Sequence, residues 1–213
     1  MPDIGAVGIA AQKKSLHATE QDGESVRQAR ADYQAQVEDW SPEHLKFIDE
    51  SGIHIAMTRH FGRASRGERV HDAVPRNHGK NVSVIGALSF QGIDAVMAIE
   101  GATDGAVFHA YVEQVLAPTL VPGDKVIMDN LSAHKVDGIR DLIEAKGAQL
   151  HYLPPYSPDL SPIEPCWSKI KTYLRRVKAR TREALDDALD AALDTITASD
   201  ARGWFAHCGY AVH

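Results

Sequence analysis

Cysteine is scarce. Cys166 and Cys208 are the only two among 213 residues, too few and too far apart for a disulfide framework or for the paired spacing of a structural zinc site. A reducing, cytoplasmic setting is therefore expected. No run approaches the roughly 18 apolar residues that cross a bilayer, and the opening MPDIGAVGIAAQKK lacks a basic region ahead of its mildly apolar stretch, so neither a membrane span nor an export signal is read. A glycine-rich phosphate loop, a GxSxG elbow and a Cys/His pair are all missing, which removes nucleotide hydrolysis and acyl transfer from the candidate activities. Positive charge is not in excess either. With a formal net charge of −6, contact with nucleic acid has to come from a local basic patch and not from the whole surface.

With 44% hydrophobic and 24% charged residues, the chain has the material for one sizeable core, hence one domain plus a short extension. Residues 1–40 read as an arm. It is extended or disordered to about Asp22, then weakly helical with Ala29, Tyr33, Val37 and Trp40 on one stripe. From Ser41 the domain proper, 41–213, opens with a capped turn and a strand carrying Asp49. A second strand, Ile53–Phe61, is expected to fold back on it through a tight Ser51-Gly52 turn. Two more strands follow around Gln91-Gly92. Then comes a helix capped by Thr103 with Phe108, Tyr111, Val112, Val115 and Leu116 inward.

The apolar run ending in Asp129 reads as a buried strand followed by a loop. A helix over about His134–Lys146 and a strand Gln149–Leu153 complete the alternation, which predicts an α/β fold with a mixed sheet and helices on its faces. Beyond lie a helix from Pro162 with Trp167, Ile170, Leu174 and Val177 inward, a helix capped by Thr181, and a terminal helix Trp204–Tyr210.

Three carboxylates stand out. Asp49 and Asp129 each follow an apolar run, and Glu164 lies on the first turn of the helix entered through LPPYSPDLSP; together they are the parts of an oxygen-only site for hard divalent cations. Each has a plainer reading. A strand-end aspartate often caps a turn, and Ser161-Pro162-Ile163-Glu164 is also a capping box, in which the glutamate only bonds the cap residue's N–H. Between Lys169 and Arg182 there are seven basic residues and no acidic one, a candidate phosphate-binding face on Lys169, Lys171, Arg175 and Arg176. The arginines between Arg59 and Lys80 suit either a solvated loop tip or a DNA contact.

Asp49 in FIDESG, Asp129 in VIMDNLSAHK with 34 residues before Glu164, and YSPDLSPIEPCWSKIK resemble the catalytic domain of a mariner-like DDE transposase of bacterial insertion sequences. The likeness runs from about Lys13 to Tyr210. One departure is Ser161, where that family usually has Asn; either residue caps a helix. The resemblance implies a ribonuclease-H-like fold with Asp49, Asp129 and Glu164 as the catalytic residues, holding two Mg²⁺ or Mn²⁺ ions, and Asn130 and His134 in support. It also implies hydrolysis at transposon ends and strand transfer of the freed 3′-OH into target DNA, by a homodimer on DNA. For His134 a local hydrogen bond at the helix start is the plainer role.

In that family, helix-turn-helix modules that read the terminal repeats precede the catalytic domain, and QKKSLHATEQD resembles the linker between them. None is recognised in this sequence, so the reader is expected on a separate or upstream-encoded chain. A non-catalytic remnant that binds DNA or dimerises, and a cellular nuclease of the same fold, are the competing readings.

Overall fold

The computed structural model describes residues 18–130 and 138–211. Its centre is β1 (Leu45–Ile53), in a five-stranded sheet of order β3-β2-β1-β4-β5. On one side β1 runs antiparallel to β2 (Val82–Ser89), which pairs antiparallel with β3 (Gly92–Glu100). On the other it runs parallel to β4 (Lys125–Met128), itself parallel to β5 (Gln149–Tyr152). The sheet is mixed, as the sequence pattern predicts.

Successive side chains of a strand point to opposite faces, so one sheet feeds two cores. Leu45, Phe47, Val84, Leu88 and Ile127 pack with α4 (Ile163–Val177), α5 (Arg182–Leu193) and α6 (Ala198–His207). Ile48, Ile85, Ala87, Val126 and Met128 pack with α2 (Gly105–Tyr111) and α3 (Ile139–Glu144). Because both faces are covered, the short inner strand β4 reads as a continuous apolar run and not as an alternation. Around Phe205, ring centroids lie 5.4 Å from Phe47, 5.5 Å from Phe90 and 5.8 Å from Tyr210. Edge contacts of this kind each contribute about 0.5–1.5 kcal/mol beyond area burial.

Several local expectations are corrected. Ser51 and Gly52 make no turn: β1 runs straight through them, pairing Ser51 with Val84 and Gly52 with Ser83. Gly52 has no positive φ, which a tight two-residue turn there would demand, and β2 takes the place expected for Ile53–Phe61. Asp104, not Thr103, caps α2, accepting from the Val107 N–H at 2.9 Å, because its carboxylate reaches the first-turn amide while the buried Thr103 hydroxyl has no partner among the described residues. Val177 lies outside the core at 45% exposed, at the last position of α4. The terminal helix starts earlier than expected, at Ala198, with a capping box between Thr197 and Asp200. Thr181 caps α5 as expected.

Residues 18–40, read as an arm, lie against the domain. After a 3-10 turn at Thr19–Asp22, α1 (Glu24–Val37) buries Tyr33, whose hydroxyl meets that of Tyr210 at 3.0 Å. Trp40 stacks on His151 at 4.5 Å. No described helix is long and apolar enough to cross a membrane.

Candidate active site

The parallel register leads from the sheet to the site. β1 and β4 pair as far as Ile48 with Met128, so the next residue on each strand is an aspartate, Asp49 beside Asp129. Neighbouring strands lie about 4.8 Å apart, and the carboxyl ends of parallel strands are where open α/β sheets form their crevices. Asp49 is therefore not at the end of its strand, as the sequence pattern implied. It is where the parallel pairing stops while the antiparallel pairing with β2 continues to Ile53.

The third wall follows from β5. Leu153 N–H donates to the Met128 carbonyl at 2.9 Å, continuing the parallel ladder to the level of Asp129. From there Pro154, Pro155 and Pro158, each with φ locked by its ring, carry the chain to α4. Glu164 occupies the first turn of that helix, exposed. Asp49, Asp129 and Glu164, with Asn130 beside them, line one open cavity of about 500 Å³. His134 lies outside the described residues.

The capping-box reading of Glu164 is not realised. Ser161 N–H donates to the Pro158 carbonyl at 3.0 Å, so it is not available to Glu164, and no side chain caps α4. The helix start leaves the carboxylate to the cavity.

Burial holds the Asp49 carboxyl at about 7, well above the usual range; the Glu50 backbone N–H works against this, while the charges of Glu164 and Asp129 reinforce it. Trp167, one turn after Glu164, is close enough to favour the ionised form, although its buried Nε1 makes no hydrogen bond of normal geometry. Among the described residues no basic side chain lines the cavity. Three carboxylates on the walls of one cavity suit a hard cation in kind. The donors are not closed around one point: among the described residues no three acidic, imidazole or thiol groups stand close enough to clasp an ion as they are.

The basic segment divides into two classes. Lys169 is committed inside the fold, donating to Asp200 at 2.7 Å and to the Thr195 carbonyl at 2.8 Å. Lys178 pairs with Asp72, and Arg182 with Asp186. Arg180 donates to the carbonyls of Ile55 and Met57, fastening the root of the long β1–β2 connection. For Lys169 and Lys178 the missing acidic partners thus come from distant segments, whereas Asp186 is one turn along the helix of Arg182. Lys171 and Arg175 form no ion pair among the described residues, and Arg176 lies over the Tyr173 ring at 4.8 Å. Arg175 also faces His54, whose pKa is lowered by burial first, and then by His78 and Arg175.

Three features of the site escaped the sequence reading. Trp167 was legible only as a core residue, yet it lies against Gly86, the β2 residue paired with Asp49. Asp159 is gripped by Arg30 from α1. Tyr156 has a left-handed backbone on the cavity rim. A tryptophan three residues after the glutamate was the only one of these with a local signal.

Comparison with known proteins adds the family. Residues 44–186 match the model of the DDE superfamily endonucleases. The chain belongs to that family. No functionally curated protein matches its sequence. Among solved structures, the DDE domain resembles the Mos1 transposase paired-end complex with left transposon end, at TM-score 0.72 and 14% identity over 96% of this chain and 64% of that one. The Mos1 strand transfer complex gives 0.70 and 17% over the same shares, and the catalytic domain of Mos1 mariner transposase 0.62 and 13% over 93% of both chains. At such identities the likeness is one of fold, here ribonuclease-H-like. The chain spans 64% of the protein in the paired-end complex.

Proposed function

We propose that this chain is the catalytic domain of a DNA transposase, hydrolysing a phosphodiester bond at a transposon end and transferring the freed 3′-OH into target DNA. The observation that carries the reading is the meeting of Asp49, Asp129 and Glu164, from three separate segments, in one cavity. These three carboxylates would hold two divalent cations, Mg²⁺ or Mn²⁺. Bound there, such a pair lowers the pKa of an attacking water and neutralises the leaving oxygen.

The protein's own contribution is placement. The sheet fixes Asp49 and Asp129 side by side, and the proline-rich wall fixes the approach of Glu164. Asn130, exposed on the rim, presents an amide to a phosphate oxygen. His134 is assigned the same supporting role. DNA, a second copy of the chain on it, and a separate helix-turn-helix reader are the proposed partners, with residues before Ser41 as the link to that reader.

Replacing Glu164 by Gln tests the reading directly. The amide keeps size and polarity but is a poor cation ligand, and no cap is lost, so thermal stability should stay within about 0.5 kcal/mol of wild type. Mg²⁺-dependent strand cleavage should vanish. Persistent cleavage would rule out Glu164 as a ligand.

Duplex binding should be weak and independent of sequence, since Lys and Arg contacts to phosphate carry no base information. Replacing Lys171, Arg175 and Arg176 together by Ala should lower both the affinity and its salt dependence, by about 0.9 in the log–log slope for each phosphate that is no longer neutralised. Replacing Lys169 should instead destabilise the fold, because its partners are Asp200 and Thr195. A salt titration on duplex DNA separates the two classes; an unchanged slope in the triple variant would move the DNA path elsewhere.

A further inference from the structure

Tyr156 stands on the rim of the carboxylate cavity, half exposed at 51%, with φ 56°. A left-handed backbone is unfavourable for a residue with a Cβ and persists only where its surroundings enforce it. Lys178 is the other non-glycine residue of positive φ among those described, and it has an ordinary reason, the C-cap of α4. Tyr156 ends no helix.

What enforces it is visible. Gln21 donates to the Tyr156 carbonyl at 3.1 Å and to Asp159 at 3.3 Å. Arg30 grips Asp159 with both terminal nitrogens, at 3.0 and 2.6 Å, and donates to Ser157 Oγ at 2.7 Å. Ser157 Oγ in turn donates to the Pro155 carbonyl at 3.0 Å. Further along, the Tyr210 hydroxyl donates to the Leu160 carbonyl at 2.7 Å. Prolines on both sides remove most of the remaining freedom. All this bracing acts on backbone and neighbours, and the ring receives none of it: the Tyr156 hydroxyl has no hydrogen bond among the described residues. The wall is built to present an aromatic face to solvent at the edge of the site.

We propose that Tyr156 is a stacking platform for a nucleobase adjacent to the scissile phosphate, held in place by Gln21 and Arg30. The inference rests on the proposed DNA-cleaving function, because a phosphodiester at the three carboxylates brings a base alongside. Every base has a π-face, so such a platform orients the strand without reading its sequence. Tyr156 is a positioning residue, acting on the strand and not on the reacting atoms.

The test uses the whole chain, in chelator, with a short duplex carrying a single-stranded overhang and 2-aminopurine at each overhang and junction position in turn. Stacking quenches the fluorescence of this base. The wild type and Tyr156→Phe should both quench the probe at one position. Tyr156→Ala should lose that quenching and about tenfold in affinity, with the salt slope unchanged because no charge is removed. Tyr156→Gly, which relieves the left-handed strain, should be at least as thermally stable as wild type yet fail in the same way, separating stacking from folding. Arg30→Ala should weaken the quenching with Tyr156 itself intact.

Equal quenching by wild type and Tyr156→Ala, or binding by the wild type without quenching at any position, would overturn the platform. Cleavage of the same duplex by wild type with Mg²⁺ is scored separately. Quenching without cleavage sinks the nuclease reading and leaves the platform standing; cleavage with unaltered quenching in Tyr156→Ala does the reverse.

Discussion

Replacing Asp49 by Asn should lower metal-dependent strand cleavage by a factor on the order of 10³ or more and raise the melting temperature of the metal-free protein above neutral pH. The second effect is what separates a strained site carboxylate from an ordinary surface one. In the folded chain the Asp49 carboxyl sits at about 7, raised from 3.8 by burial and by the neighbouring carboxylates. Between those two values the folded state holds a proton that the unfolded state has released. Stability therefore falls as pH rises through the window, and above about 7 the whole penalty of a buried, repelled charge is present.

Asn carries no charge and escapes it. The melting-temperature advantage of Asp49→Asn should be greatest near pH 8 and shrink toward pH 4, measured in chelator. Adding Mg²⁺ or Mn²⁺ should raise the melting temperature of the wild type near pH 8 and that of the variant much less. Below about pH 6 this stabilisation should fade, because the ion must then displace a proton. Parallel melting curves for the two proteins across this pH range would show that Asp49 carries no such penalty. Retained cleavage would remove it from the site.

Gly86→Val should cost about 2–3 kcal/mol, which at this chain length lowers the melting temperature by several degrees. Gly86 pairs with Asp49 across β1 and β2, and a Cβ there would come within 2.9 Å of Trp167 Cη2, 3.2 Å of Cζ2 and 3.3 Å of Ile93 Cδ1. The indole is buried and rigid, so it cannot swing aside as the tip of a lysine would. Relief requires α4 to move, and Glu164 rides on its first turn. Cleavage should therefore fall along with stability. Replacing Trp167 by Phe in a Gly86→Ala background should restore part of both, because the smaller ring leaves room for the methyl group. Additive losses in that double variant, measured by thermal melts, would show that the two positions are not coupled through this contact.

Where local chemistry decides a feature, the sequence showed it. The apolar runs before Asp49 and Asp129 are strands because their side chains fill one or both sheet faces. Thr181 caps its helix because its hydroxyl reaches the Ala184 N–H. Gln91-Gly92 joins β2 to β3 with Gly92 at φ 132°. The family resemblance of the three carboxylate motifs is likewise a property of the chain read along its length.

Other features depend on partners far away in the sequence, and there the local reading failed or stopped. Ser51-Gly52 has turn chemistry but lies within a strand, since pairing with β2 outweighs a weak local preference. The Ser161 capping box did not form, because the Pro158 carbonyl had already taken the Ser161 N–H. The basic run after Lys169 looked free of partners, yet Asp72 and Asp200 arrive from other segments and remove two of its cations.

By itself the sequence determined which carboxylates exist, on which kinds of element, and the helical and strand periods that build a two-faced sheet. Only the tertiary structure decided that Asp49 and Asp129 are neighbours, that a proline-rich wall closes the third side with Glu164, and that α1 and the 3-10 turn before it reach across to brace that wall and Tyr156. The physical reason is range. Periodicity and capping are set within a few residues by backbone geometry, whereas strand order, register and long-range ion pairs are chosen by the whole chain when it buries both cores at once.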